Sequence, residues 1–139
     1  MKVFYDTNVI LDFLGQREPY YNNSRAVILL SAEEKLNGIT GAGAVTDIYY
    51  IIKRNIKNEK QTLKSVTDLL NILTLVDTKA QDIQTALSLN MADFEDAVAA
   101  ATALREKVDY IITRNLKDFA KSPVPAITPT DFLKKFKSN

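Results

Sequence analysis

The chain contains neither histidine nor cysteine among its 139 residues. Without histidine there is no Ser-His-Asp chemistry, no imidazole acid–base catalysis and no histidine-ligated zinc. Without cysteine there are no disulfides, no thiolate nucleophile and no cysteine zinc site. A catalytic metal, if one is used, must be held by oxygen atoms, and oxygen-only ligation favours Mg²⁺, Mn²⁺ or Ca²⁺ over softer ions. Glycine and proline are scarce, four of each, and fall between periodic segments, so no linker, repeat or low-complexity tract is visible. No apolar run approaches the roughly 20 residues that span a bilayer. The apolar start at residues 2–5 is too short for a signal peptide and Asp6 interrupts it, so a cytoplasmic location without a membrane partner is expected. The net charge of +1 gives no global pull toward a polyanion, which leaves a local patch or a bound metal to do that work.

What is present is a chain 46% hydrophobic and 25% charged, the profile of one ordinary domain over residues 1–139. Short apolar segments read as strands at Lys2–Tyr5, Gly38–Gly41, Leu73–Val76, Tyr110–Ile112 and Ala126–Ile127. Between them, helical spacing covers Asn8–Leu14, Tyr20–Glu34, Val45–Lys57, Gln61–Leu73, Ala80–Leu89, Asp93–Lys107 and Asp131–Phe136. In the second of these Ala26, Ile28, Leu29 and Leu30 are expected to face inward, and the last should be capped by Thr130 or Asp131. The strands show no alternation of apolar and polar residues. That argues a short, mainly parallel sheet covered on both faces, a three-layer α/β/α sandwich. In such sheets function gathers at the carboxyl ends of the strands.

Those ends carry polar groups. Asp6-Thr7-Asn8 follows the first strand, Thr46-Asp47 lies just beyond the second, and Thr113-Arg114-Asn115 with Asp118 follows Tyr110–Ile112. Asp93 and Asp96 sit three residues apart, on one face of the alanine-rich helix. Small residues after Asp96 let that helix approach the sheet. Carboxylates gathered in one place repel one another, and a divalent cation relieves the conflict while being able to activate water and clamp a phosphodiester oxygen. Each position also has a plainer reading: Asp6 or Thr7, Asp47 and Asp93 suit helix N-termini, and Asn115 and Asp118 suit a turn. Thr7 or Asn8 can cap a helix while Asp6 points elsewhere, so capping and metal binding are compatible.

Four segments together resemble a PIN domain, the fold of the VapC-type toxins of bacterial and archaeal toxin–antitoxin pairs. They are Val3 to Asp12, Thr46-Asp47-Ile48-Tyr49-Tyr50, Asp93-Phe94-Glu95-Asp96-Ala97 with its alanine tail, and Tyr110 to Asn115 with Lys117-Asp118-Phe119. The resemblance implies a Mg²⁺- or Mn²⁺-dependent endoribonuclease. It implies that Asp6, Asp47, Asp93 and Asp96 are the catalytic and metal-binding residues, with Asp47 where the family usually has glutamate. Asn115 stands where many members have aspartate, and Asp118 is close behind to supply the charge. Thr7, Asn8 and Thr113 are then orienting hydrogen-bond groups, and Arg114 is a candidate phosphate contact or else a surface salt bridge. Lys53, Arg54 and Lys117 are further cations that would guide the backbone. The resemblance also implies an RNA substrate, a cognate antitoxin and a homodimer. The early aromatics Phe13, Tyr20, Tyr21, Tyr49 and Tyr50 fit a partner contact or, as such residues more often do, the core.

Two other readings stand beside it. One is a PIN-like module that binds RNA or protein without cutting, which the Asn115 and Asp47 positions leave open. The other is a phosphotransfer or phosphatase domain, which would want a second acid where this chain has Asn8.

Overall fold

The computed structural model describes residues 1–137. The elements run β1 (Lys2–Tyr5), α1 (Thr7–Leu14), α2 (Tyr21–Ala32), β2 (Asn37–Gly41), α3 (Val45–Ile56), α4 (Glu59–Ile72) and β3 (Thr74–Val76). They continue with α5 (Ala80–Ser88), α6 (Phe94–Arg105), β4 (Tyr110–Ile112), β5 (Ala126–Ile127) and α7 (Pro129–Lys137). The five strands form one sheet in the order β3-β2-β1-β4-β5, and every pairing is parallel.

Alternate residues of one strand serve opposite faces, and both faces are buried. Val3 and Tyr5 point into a core built with Val9, Ile28, Ile52, Leu69 and Phe132 from α1, α2, α3, α4 and α7. Phe4, Ile39 and Ile111 point the other way, onto Ala100 and Ala103 of α6. The three layers expected from the apolar strands are therefore present. The buried alanines Ala97, Ala100, Ala101 and Ala103 keep α6 thin on its inner side, so its backbone lies close to the sheet.

Element ends differ where capping groups decide them. α4 starts at Glu59 rather than Gln61 because the Asn58 side chain accepts the Gln61 N–H at 3.0 Å. α7 starts at Pro129, whose missing N–H costs nothing at a first helical position. Its cap is Thr128, whose hydroxyl accepts the Asp131 N–H at 3.1 Å, and not Thr130 or Asp131. On α2 the fully inward residues are Ser24, Val27, Ile28 and Ser31, whereas Ala26, Leu29 and Leu30 are only partly covered. Ser31 is buried because it has a partner: its hydroxyl and that of Tyr5 lie 2.9 Å apart, and Tyr5 also donates to the Val27 carbonyl at 2.8 Å.

This contact requires Gly38 in β2. A methyl group there would collide with the Ser31 hydroxyl and the Tyr5 ring, and would press on Leu73. Gly38→Ala is expected to lower stability by about 1–3 kcal/mol, the usual cost of overpacking. Urea denaturation checks this; an unchanged midpoint would show that the strand shifts freely.

Candidate active site

The sheet register assembles the site. Tyr5 of β1 pairs with Ile112 of β4, so the next residues, Asp6 and Thr113, emerge side by side. The Asp6 N–H donates to the Ile112 carbonyl at 2.9 Å, extending the ladder one step. One Asp6 carboxylate oxygen accepts the Thr7 N–H at 2.9 Å and the other accepts the Thr113 hydroxyl at 2.8 Å. The Thr113 oxygen in turn accepts the Asn115 N–H at 3.1 Å. Asp6 is itself the cap of α1, one of the two caps the sequence offered with Thr7, so in Asp6 capping and a place in the site coexist. The Asn8 side-chain oxygen is buried and has no hydrogen-bond partner.

Asp6 is only 8% exposed. Burial pushes its carboxyl above the usual range; the bonds from Thr113 and Thr7 oppose this, the charge of Asp118 adds to it, and Arg114 opposes it weakly. Asp96, in the first turn of α6, is pushed up to about 7, first by burial and then by the negative charges of Asp6, Asp93, Asp118 and Glu95. These influences place four acids within electrostatic reach of Asp96. Asp93 caps α6 by accepting the Asp96 N–H at 3.0 Å, so capping and proximity to Asp96 coexist there.

Asp6, Thr7, Asp47 and Asp96 line one cleft of about 590 Å³. Its floor is Phe4, Thr40 and Gly41; Asp47, Tyr50, Ile51 and Arg54 of α3 form one wall, and Phe94, Glu95, Val98, Ala99 and Thr102 of α6 form the other. Asp93 and Asp118 stand beside Asp96 without lining the cleft, and Asn115 is exposed, joined to the site through its backbone. Among the described residues, no three acidic side chains already converge as a ready metal cage.

The treatment of buried carboxylates separates Asp6 from the others. Among the described residues three are buried: Asp6, Asp12 and Asp82. Asp82 takes two bonds from Arg105, both at 2.9 Å, and this holds its carboxyl below the usual range. Asp12 takes Arg114 at 2.7 Å and Arg17 at 2.9 Å. Asp6 takes only neutral donors. A buried carboxylate without a cation is a costly arrangement that a metal ion would relieve.

The same geometry corrects the expectation for Arg114. It is not a free phosphate contact: its guanidinium is fixed on Asp12 and lies 4.4 Å from the centroid of the Tyr20 ring. The alternative reading, a salt bridge, holds, but the pair reaches inward from a partly exposed Arg114 to a fully buried Asp12. Sequence reading passed over Asp12, although an acid inside the apolar run Val9-Ile10-Leu11-Asp12-Phe13 is itself a sign of a buried cationic partner. Of the remaining cations, Lys53 stands 3.8 Å from Glu59, and Arg54 has no ion-pair or hydrogen-bond partner among the described residues. Tyr20 and Tyr50 are exposed, whereas Phe13, Tyr21 and Tyr49 are partly buried.

Comparison with known proteins gives a consistent picture. Ribonuclease VapC1 of Aquifex aeolicus is 26% identical over 140 residues, which covers 97% of this chain and 95% of that protein. Two solved structures share the fold: VapBC2 of Rickettsia felis bound to a DNA fragment from their promoter, and DNA-bound VapBC of Salmonella typhimurium. The first has a TM-score of 0.70 at 19% identity, over 92% of this chain and 98% of that one. The second has a TM-score of 0.72 at 15% identity, over 93% and 98%. The PIN domain family model matches residues 2–117, and the chain belongs to the PIN domain family.

Proposed function

We propose that this protein is a metal-dependent endoribonuclease, the toxin member of a toxin–antitoxin pair, that hydrolyses RNA phosphodiester bonds with Mg²⁺ or Mn²⁺. The observation that carries the reading is Asp6, a buried carboxylate given neutral donors where Asp12 and Asp82 are given arginines. The similarity to a protein named as a ribonuclease supports the choice of reaction. A module that only binds is not favoured, because nothing in binding alone calls for a buried carboxylate without a cation.

The residues present fit such an ion. Asp6 and Asp96 would hold it, with Asp47 and Asp93 reaching it directly or through water. Mg²⁺ commonly keeps several waters and takes only one or two carboxylates, which suits a site with no closed cage of three acids among the described residues. When bound, such an ion supplies a more acidic water and offsets charge on the phosphate. The chain's own groups do the rest. Thr113 and the Thr7 N–H fix the direction of the Asp6 oxygens. Asp118, exposed and near enough for its charge to act on both Asp6 and Asp96, would accept the proton lost by the attacking water and pass it to solvent. The proposed partners are an RNA substrate, a small inhibitory antitoxin, as in the VapBC complexes of similar fold, and a second copy of the chain, all in the cytoplasm. Among the described residues no helix is long and apolar enough to cross a membrane.

Asp6→Asn and Asp96→Asn should each reduce Mg²⁺-dependent RNA cleavage to that of the metal-free protein while the fold persists. Full activity in both would sink the assignment. Thr113→Val, which removes the bond that orients Asp6, should lower activity by about 10–100-fold, measured as the cleavage rate of a labelled RNA.

The raised carboxyls also predict a pH effect in chelator. A group whose pKa rises on folding binds more protons in the folded chain, so its contribution to stability falls as pH climbs. For Asp96 the window runs from the unfolded value near 4 to about 7. Thermal melts in EDTA should therefore show a lower Tm at about pH 8 than at about pH 5. Asp96→Asn should flatten the difference, and Mg²⁺ should restore the parent's Tm at the higher pH.

A further inference from the structure

Two rings on the cleft walls keep an open face: Tyr50 meets Tyr49 edge-to-face, with ring centroids 5.3 Å apart, and remains largely exposed. Tyr50 of α3 is 55% exposed and Phe94 of α6 is 48% exposed, yet both line the cleft that holds Asp6 and Asp96. Along α3, Asp47, Tyr50, Ile51 and Arg54 recur at helical spacing, so one stripe runs from an acid through an aromatic ring to a cation. An exposed apolar ring is unfavourable in water, and an arginine without a partner beside it leaves a positive charge open to a ligand.

We propose that Tyr50 and Phe94 form a nucleobase-binding subsite, in which an unpaired base next to the scissile phosphate stacks against the rings while Arg54 meets the backbone phosphate. This rests on the ribonuclease reading and adds to it the residues that meet the base, a subsite that requires a strand single or locally unpaired at the cut. Aromatic faces bind any base by stacking, whereas a base inside a duplex has both faces covered. Continuity with the carboxylate floor gives the same occupant, because a strand whose phosphate lies over Asp6 and Asp96 brings its adjacent base up to the walls. Glu95, on the wall opposite Arg54, repels phosphate and so favours a backbone path along α3.

The test is equilibrium binding by fluorescence anisotropy, with a labelled oligouridine and a duplex of equal length. Ca²⁺, which also takes oxygen ligands, replaces Mg²⁺, and a gel checks that the RNA stays intact. The parent should bind the single strand more tightly than the duplex. Tyr50→Ala and Phe94→Ala should each weaken single-strand binding by roughly tenfold or more and leave duplex binding nearly unchanged. Tyr50→Phe should keep the parent's affinity, because it keeps the ring. An oligomer lacking one base should lose affinity with the parent and lose little further with the alanine variants. Unchanged single-strand affinity in both alanine variants, or no preference of the parent for the single strand, overturns the subsite, and the rings would then suit a protein partner. Cleavage by the parent and its loss in Asp6→Asn are measured separately, so the subsite can fail while the ribonuclease reading stands, and the reverse.

Discussion

The buried carboxylate of Asp6 is the constraint around which the rest of the site is arranged. It is carried out of solvent by β1 and stopped at the sheet edge by its own role as the cap of α1. Neutral donors on both oxygens fix its direction without cancelling its charge. Asp96 of α6 is driven toward the protonated state first by its own burial and then by that charge. Hydrogen bonding from neutral groups orients a carboxylate but only partly offsets its desolvation. A cation, as proposed above, would relieve both burdens at once.

Asp12 shows the contrary solution six residues later in the same chain. It is buried more completely than Asp6 and is satisfied by two guanidinium groups, Arg114 and Arg17. One of these, Arg114, directly follows Thr113, the residue that holds Asp6. The ion pair thus ties α1 to the loop after β4, next to the hydroxyl that aims the candidate metal ligand. A buried pair of this kind adds little to stability overall, but breaking it leaves an uncompensated charge, so it fixes geometry more than it lowers free energy. Its place here keeps Asp6 and Thr113 in register beyond the last ladder bond.

Much of this was legible before any coordinates. The uninterrupted apolar strands required a sheet covered on both faces, and the alanine tail after Asp96 required a helix lying close to that sheet. The positions Asp6, Asp47, Asp96 and Thr113 all came from looking at strand and helix ends. What sequence could not supply was adjacency over long separations. Arg114 stood beside a candidate site and looked available, but Asp12, 102 residues earlier, had already engaged it. Nothing in the local periodicity of α2 marks Ser31 as buried, because its partner, the Tyr5 hydroxyl, lies 26 residues earlier in the chain. Helix starts shifted for a similar reason: Asn58 and Thr128 compete with neighbours of equal propensity, and backbone direction decides among them.

The balance of charge in the cleft limits how any RNA can be held there. Among the described residues Asp6, Asp47, Glu95 and Asp96 line it against a single lining cation, Arg54, on a chain whose net charge is only +1. Most nucleic-acid binding draws its affinity from phosphate neutralisation by lysine and arginine. That source is nearly absent here, and the acids oppose it until a divalent ion offsets them. The remaining favourable contribution must come from surfaces indifferent to charge. The exposed faces of Tyr50 and Phe94 are the surfaces the walls offer. Stacking operates only on bases that are not already paired, so on the proposed reading the electrostatics that favour a metal at the floor would also select against duplex at the walls.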